Sequence, residues 1–152
     1  MVETVELPAA SDTFEFGRTL GLALTAGDLV LLAGPLGAGK TVVAQGIAAG
    51  LGVGGRVSSP TFIIAREHPA GARGIPLVHV DAYRLGGDLD ELDDLDLDTE
   101  LVAAAVVIEW GEGPAERLSD DHLLIHLDRR PDDTRLATIN RHGTWTARPW
   151  AP

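Results

Sequence analysis

Apolar residues along this chain fall into short runs broken by glycine, proline and acidic residues, the pattern of buried strands alternating with helices. Asp28-Leu-Val-Leu-Leu-Ala33, bounded by Gly27 and Gly34, reads as a buried strand. Before it, Phe14, Leu20, Leu22 and Leu24 predict a helix from Ser11 to about Ala26, with Ser11 or Asp12 as its N-cap. After it, a helix is expected from Gly39 to Leu51, stopped by the Gly-rich stretch from Gly50 to Gly55. Phe62-Ile-Ile-Ala65 and Pro76-Leu-Val-His-Val80 are two further strand candidates. Asp88 to Leu101 carries Leu89, Leu92 and Leu95 on roughly one face of an acidic helix. Leu101 to Ile108 is apolar throughout: its start reads as the tail of that helix, its end as a central strand. His122-Leu-Leu-Ile-His-Leu127 and Arg135 to Arg141 predict a closing strand pair around a turn at Pro131-Asp132-Asp133. The last ten residues, with Trp145 and Trp150, receive no element, only terminal packing.

This alternation predicts an α/β fold with a largely parallel central sheet, helices on both faces and an antiparallel C-terminal strand pair. A length of 152 residues suits one domain spanning residues 1–152, and neither a linker nor an internal repeat divides it. With 45% apolar residues the chain can bury a core. The formal net charge of -11 argues against a surface that grips nucleic acid directly. The absence of cysteine excludes disulfides, thiolate zinc sites and thiol catalysis. Neither a leader nor a membrane span is legible, so the expectation is a soluble, cytoplasmic protein.

Composition sharpens one position. Eleven of the twelve basic residues are arginine, and the only lysine is Lys40. An ammonium is a compact point charge that fits a tight phosphate cradle where a planar guanidinium does not. Lys40 lies in Gly34-Pro-Leu-Gly-Ala-Gly39-Lys40-Thr41, which fits G-x-x-x-x-G-K-[ST] after a strand and before a helix. A chance match in a chain of this composition is about one in a thousand. The loop residues Gly34, Pro35, Leu36, Gly37, Ala38 and Gly39 would wrap the phosphates with backbone N–H groups. Lys40 would reach the β- and γ-phosphates, and the Thr41 hydroxyl would hold Mg2+. A dinucleotide fingerprint fails here because Val42 stands where its third glycine belongs.

Hydrolysis needs carboxylates, and two end apolar runs: Asp81 after Val80 and Glu109 after Ile108. In a parallel sheet both ends share the edge of the phosphate loop, placing each acid to meet Mg2+ or orient water. His79 precedes Asp81 by two and projects to the same face, where it reads as a hydrogen-bonded neighbour rather than a ligand. Ser58-Ser-Pro-Thr-Phe62 is either a turn into a strand or a sensing loop whose Thr61 approaches the metal or γ-phosphate. Asp88 to Glu100 holds eight acids and no base: a solvated helix face, or a dock for a basic partner. A GTPase would need Asn-Lys-x-Asp, which a chain with one committed lysine cannot supply.

In order and spacing, Gly-Pro-Leu-Gly-Ala-Gly-Lys-Thr, Ser-Pro-Thr-Phe, His79-x-Asp81-x-Tyr83-Arg84 and Glu109-Trp110 resemble the TsaE (formerly YjeE) family, from about Leu7 to Arg141. That family is the ATPase subunit of the bacterial tRNA threonylcarbamoyladenosine machinery. The resemblance implies binding and slow hydrolysis of ATP, activated by TsaD and TsaB partners that hold the tRNA. It implies Thr41 and Glu109 as Mg2+ ligands and Asp81 as the acid positioning metal or water. It further implies that the segment from Ser11 to Thr13 approaches the base and that Arg135 lies near the nucleotide. The chain departs from the family at Pro35, where Asp is common, and lacks its usual glycine in Leu92-Asp-Asp-Leu-Asp-Leu97. Two other functions remain open: a nucleotide-gated binding module that never turns over, and a small-molecule kinase using Arg129-Arg130 as a short lid.

Overall fold

Burial on both sides places Leu29–Ala33 at the centre of the sheet. The computed structural model describes residues 2–35, 37–53, 65–81, 100–109 and 119–152. The described elements are strand β1 (Val2–Leu7), helix α1 (Ala10–Ala23), strand β2 (Leu29–Ala33), helix α2 (Lys40–Leu51) and strands β3 (Ala65–His68), β4 (Leu77–Asp81), β5 (Ala105–Glu109), β6 (His122–Arg129) and β7 (Arg135–His142). They form a seven-stranded sheet in the order β1-β7-β6-β2-β5-β4-β3. The middle four strands, β6, β2, β5 and β4, are parallel, while β7, β1 and β3 pair antiparallel at the two sides.

Side chains alternate across this sheet with the period of two that a strand imposes. Val30, Leu32, Ala105, Val107, Leu123 and Ile125 enter one core, and Leu29, Leu31, Val78, Val80, Val106 and Ile108 the other. Among the described residues both α-helices cover the first face, through Phe16, Leu20, Val43, Ile47 and Leu51. The two helices touch backbone to backbone. A methyl group on Gly46 would run into the carbonyl oxygen of Phe14, and one on Gly17 into that of Val43. Arg73 closes the far end of this pair, donating to the carbonyls of Gly21 in α1 at 2.7 Å, of Leu24 just past its end at 2.9 Å and of Gly50 in α2 at 3.2 Å. A guanidinium there satisfies orphan carbonyls and meets the negative ends of both helix dipoles.

Three expectations change. The N-cap of α1 is Ala9, neither Ser11 nor Asp12; Asp12 sits one turn in, and its carboxylate accepts the Ala9 N–H at 2.9 Å. The helix stops at Ala23 rather than Ala26 because Leu24 is extended and the Asp28 carboxylate accepts the Thr25 N–H at 2.7 Å, making a turn. Strand β1 was not expected: Val-Glu-Thr-Val-Glu-Leu is short and half polar, and only pairing with β7, Val2 opposite Asn140 to Leu7 opposite Arg135, makes it a strand. Of the expected strand Phe62–Ala65, only Ala65 is described, and it opens β3. The acidic segment 88–99 lies outside the described residues; Glu100 begins a helical turn that Ala104 closes at 3.0 Å before β5. At the C-terminus Trp145 and Trp150 are buried edge to face, 6.2 Å apart, the terminal packing expected of them. Arg141 holds them in place by pairing with Glu3 at 2.6 Å and donating to the Trp150 carbonyl at 2.6 Å.

Two predictions follow from this packing. Gly46→Ala forces α1 and α2 apart and is expected to destabilise the fold by about 1–3 kcal/mol, read as a lowered urea midpoint. His68 is 3% exposed, and burial, reinforced by His79 and Arg66, lowers its pKa below the usual histidine value. The unfolded chain therefore takes up that proton first, so stability declines as pH falls through about 6.5, by at most about 1.4 kcal/mol per pH unit for one proton. Urea midpoints between pH 8 and pH 5.5 measure this, and His68→Leu should flatten the slope.

Candidate nucleotide-binding site

The loop between β2 and α2 turns where only glycine turns easily. Gly34, Gly37 and Gly39 have φ of 140°, 78° and 106°. At Gly34 a side chain would strike the Leu127 carbonyl of β6, so the loop lies against that neighbouring strand. Gly39, in the left-handed conformation, caps α2, and its carbonyl accepts the Val43 N–H at 3.0 Å. Leu36 lies outside the described residues; Pro35, Gly37, Ala38 and Gly39 occupy the loop as the motif requires.

Lys40 starts α2 and is only 5% exposed. Its Nζ donates to the carbonyls of Gly34 at 2.7 Å and Pro35 at 2.9 Å. The residue at position 35 thus serves Lys40 through its backbone, which proline supplies as well as aspartate. Burial lowers the Lys40 pKa, and the nearby Glu109 and Asp81 carboxylates oppose that shift.

Strand order brings those acids to the loop. β4, β5 and β2 run parallel, with Asp81 opposite Glu109 and Glu109 opposite Leu32. Leu32 faces the α2 side, so Glu109, Asp81 and His79 face it too. Glu109 is 4% exposed. One of its oxygens accepts the Thr41 hydroxyl at 3.3 Å, and the other lies 2.5 Å from His79 Nε2. His79 is therefore the hydrogen-bonded neighbour anticipated from its position. A hydroxyl and a carboxylate oxygen converging beside a phosphate loop are the hard oxygen donors that Mg2+ accepts, with water and phosphate completing its shell.

Beside the loop opens a cavity of about 340 Å3, within the ~300–1,000 Å3 usual for small-molecule sites. Its walls include Ala9 and Thr13 from the start of α1, Gly39 and Val42 from α2, and Arg129, Asp133 and Arg135 from the β6–β7 hairpin. Thr13 and Arg135 line this cavity together, whereas Ser11 is exposed on α1 and does not line it. Thr61, with the Ser58–Phe62 segment, lies outside the described residues, as do Tyr83, Arg84 and Trp110. Sequence reasoning gave Arg129 only to the lid of the kinase alternative and Asp133 only to a turn, and assigned neither to the nucleotide cavity. The signal was present: a strand pair closing at Pro131-Asp132-Asp133 puts Arg129 opposite Arg135, and β6 beside β2 carries that end to the phosphate loop.

Comparison with known proteins identifies the family. The family model for the threonylcarbamoyl adenosine biosynthesis protein TsaE matches residues 7–137. A Streptomyces coelicolor tRNA threonylcarbamoyladenosine biosynthesis protein TsaE is 56% identical over 132 residues, covering 87% of this chain and 88% of its own. The Mycobacterium tuberculosis H37Rv protein of the same name is 55% identical over 142 residues, covering 89% and 84%. The crystal structure of YdiB from Bacillus subtilis superimposes with a TM-score of 0.76 at 29% identity, over 95% of this chain and 89% of that one. A phosphate-loop sheet with its acids on the loop edge, matched along nearly its whole length, makes this chain a member of the TsaE family.

Proposed function

We propose that the chain binds ATP with Mg2+ and hydrolyses it in the biosynthesis of threonylcarbamoyladenosine on tRNA, slowly alone and faster with TsaD- and TsaB-type partners. The observation that carries this reading is Lys40: a buried ammonium inside a glycine loop, facing two carboxylates at the same sheet edge. Burying a charge is expensive unless anions or dipoles surround it. Phosphate oxygens exchanged for the Gly34 and Pro35 carbonyls would turn that cost into binding. Thr41 and Glu109 would hold Mg2+, which would neutralise charge developing on the γ-phosphate. His79 fixes the Glu109 carboxylate so that its Thr41-facing oxygen points toward the loop. Asp81, next to Glu109 in register, would orient the attacking water or a water on the metal. The net charge of -11 fits a subunit that leaves tRNA to its partners, and cytoplasmic residence follows from that role. No described helix is long and apolar enough to cross a membrane.

Lys40→Ala is expected to weaken ATP binding about ten- to a hundredfold, the loss of a charge-assisted contact of roughly 1.5–3 kcal/mol. Isothermal titration reads it, and equal affinity for variant and wild type would remove the phosphate-loop assignment. In phosphate-release assays with the partner proteins present, Asp81→Ala and Glu109→Ala should each lower turnover by at least a hundredfold. Undiminished turnover in both would leave the nucleotide-gated binding module. Retrieval of small-metabolite enzymes rather than tRNA-modifying proteins on ATP-loaded chain would favour the kinase.

A further inference from the structure

We infer that Arg129 is a phosphate-contacting residue whose availability Asp133 controls, the carboxylate and the nucleotide competing for one guanidinium. The inference rests on the nucleotide reading above and deepens it. Arg129 ends β6 and lines the 340 Å3 cavity together with Asp133 and Arg135. Its Nη1 stands 3.8 Å from where a side chain on Gly37 would begin, directly against the phosphate loop. Its Nε and Nη2 both donate to one Asp133 oxygen, at 2.8 and 2.5 Å. The Nε/Nη2 edge of the fork is therefore turned to a carboxylate at the cavity wall, while Nη1 faces the loop.

The surrounding charges separate Arg129 from its neighbours. Arg130, next in sequence, is turned to Glu6 of β1 at 3.1 Å and does not line the cavity. Arg135, opposite Arg129 in register, donates to the Asp133 main-chain carbonyl at 2.8 Å, a bond that does not depend on the Asp133 side-chain charge. The Arg129–Asp133 pair is exposed, with 52% and 69% of the two side chains accessible. Pairs of this kind are weak and easily exchanged. A polyphosphate entering beside Gly37 offers the guanidinium more charge and a two-oxygen face. Asp133 has φ of 69°, the left-handed region that Asp and Asn tolerate. Asn at this position keeps the turn while removing the competing charge.

The test is a double-mutant cycle read by isothermal titration with Mg-ATP on the full chain. Arg129→Ala should weaken binding about tenfold, and Asp133→Asn should tighten it about threefold to fivefold. In the Arg129→Ala background, Asp133→Asn should change affinity less than about twofold. Thermal midpoints without nucleotide check folding; if Arg129→Ala lowers the midpoint, Arg129→Gln, which retains the stem, carries the same expectation. Wild-type affinity in Arg129→Ala overturns the inference and leaves the nucleotide reading standing. So does equal tightening by Asp133→Asn with and without Arg129, which is only the loss of a repelling charge. If the wild type binds no ATP, both readings fall together.

Discussion

An ammonium group held almost out of water must be ringed by oxygen, and that requirement organises this molecule around Lys40. Two carbonyls of its own loop accept its protons, and two carboxylates at the ends of neighbouring strands raise a pKa that burial lowers. Neither arrangement is local. The carbonyls face inward because Gly34 turns hard against β6. The carboxylates are close because β4 and β5 run parallel to β2 and end at the same edge. Without the sheet, the lysine would have no reason to stay buried.

The pleat of the sheet does the sorting. Residues of one strand two apart share a face, and residues in register across parallel strands share it as well. Leu32, Glu109, Asp81 and His79 thereby face the side on which α2 begins. A slip of one residue in β5 would turn Glu109 to the opposite core, among Leu31, Val80 and Val106, where an ionised carboxylate would lack partners. Register is thus enforced by the cost of burying a charge and by the need to keep Val106 and Ile108 in their own core. The same logic explains the close approach of α1 and α2. Small residues at Gly17 and Gly46 let the helices meet backbone to backbone, which brings Thr13 beside Gly39 at the cavity.

Much of this was legible before any coordinates. The phosphate loop, the strand-end acids, the parallel core and the C-terminal hairpin all announce themselves through glycine spacing and apolar runs of strand length. What escaped has physical causes. β1 is half polar and becomes a strand only by pairing with β7. The N-cap at Ala9 has no side chain to advertise it; the cap works through Asp12 reaching backward. Ser11 had the right chemistry for a ligand contact, but the turn of α1 points it to solvent and brings Thr13 to the cavity instead.

The linear sequence determined which groups are available and which backbone turns are possible: a single lysine after a glycine loop, and acids where apolar runs stop. Those properties depend on neighbours along the chain. Tertiary structure alone decided which groups meet. Thr41 and Glu109 are 68 positions apart, Glu109 and His79 are 30 apart, and their contacts exist because strands distant in sequence are adjacent in the sheet. Arg129 and Asp133 are near neighbours in sequence, yet their place beside Gly37 follows from β6 lying next to β2. Proximity in the chain is set by covalent geometry; proximity at this site is set by strand order, which packing of the two cores selects.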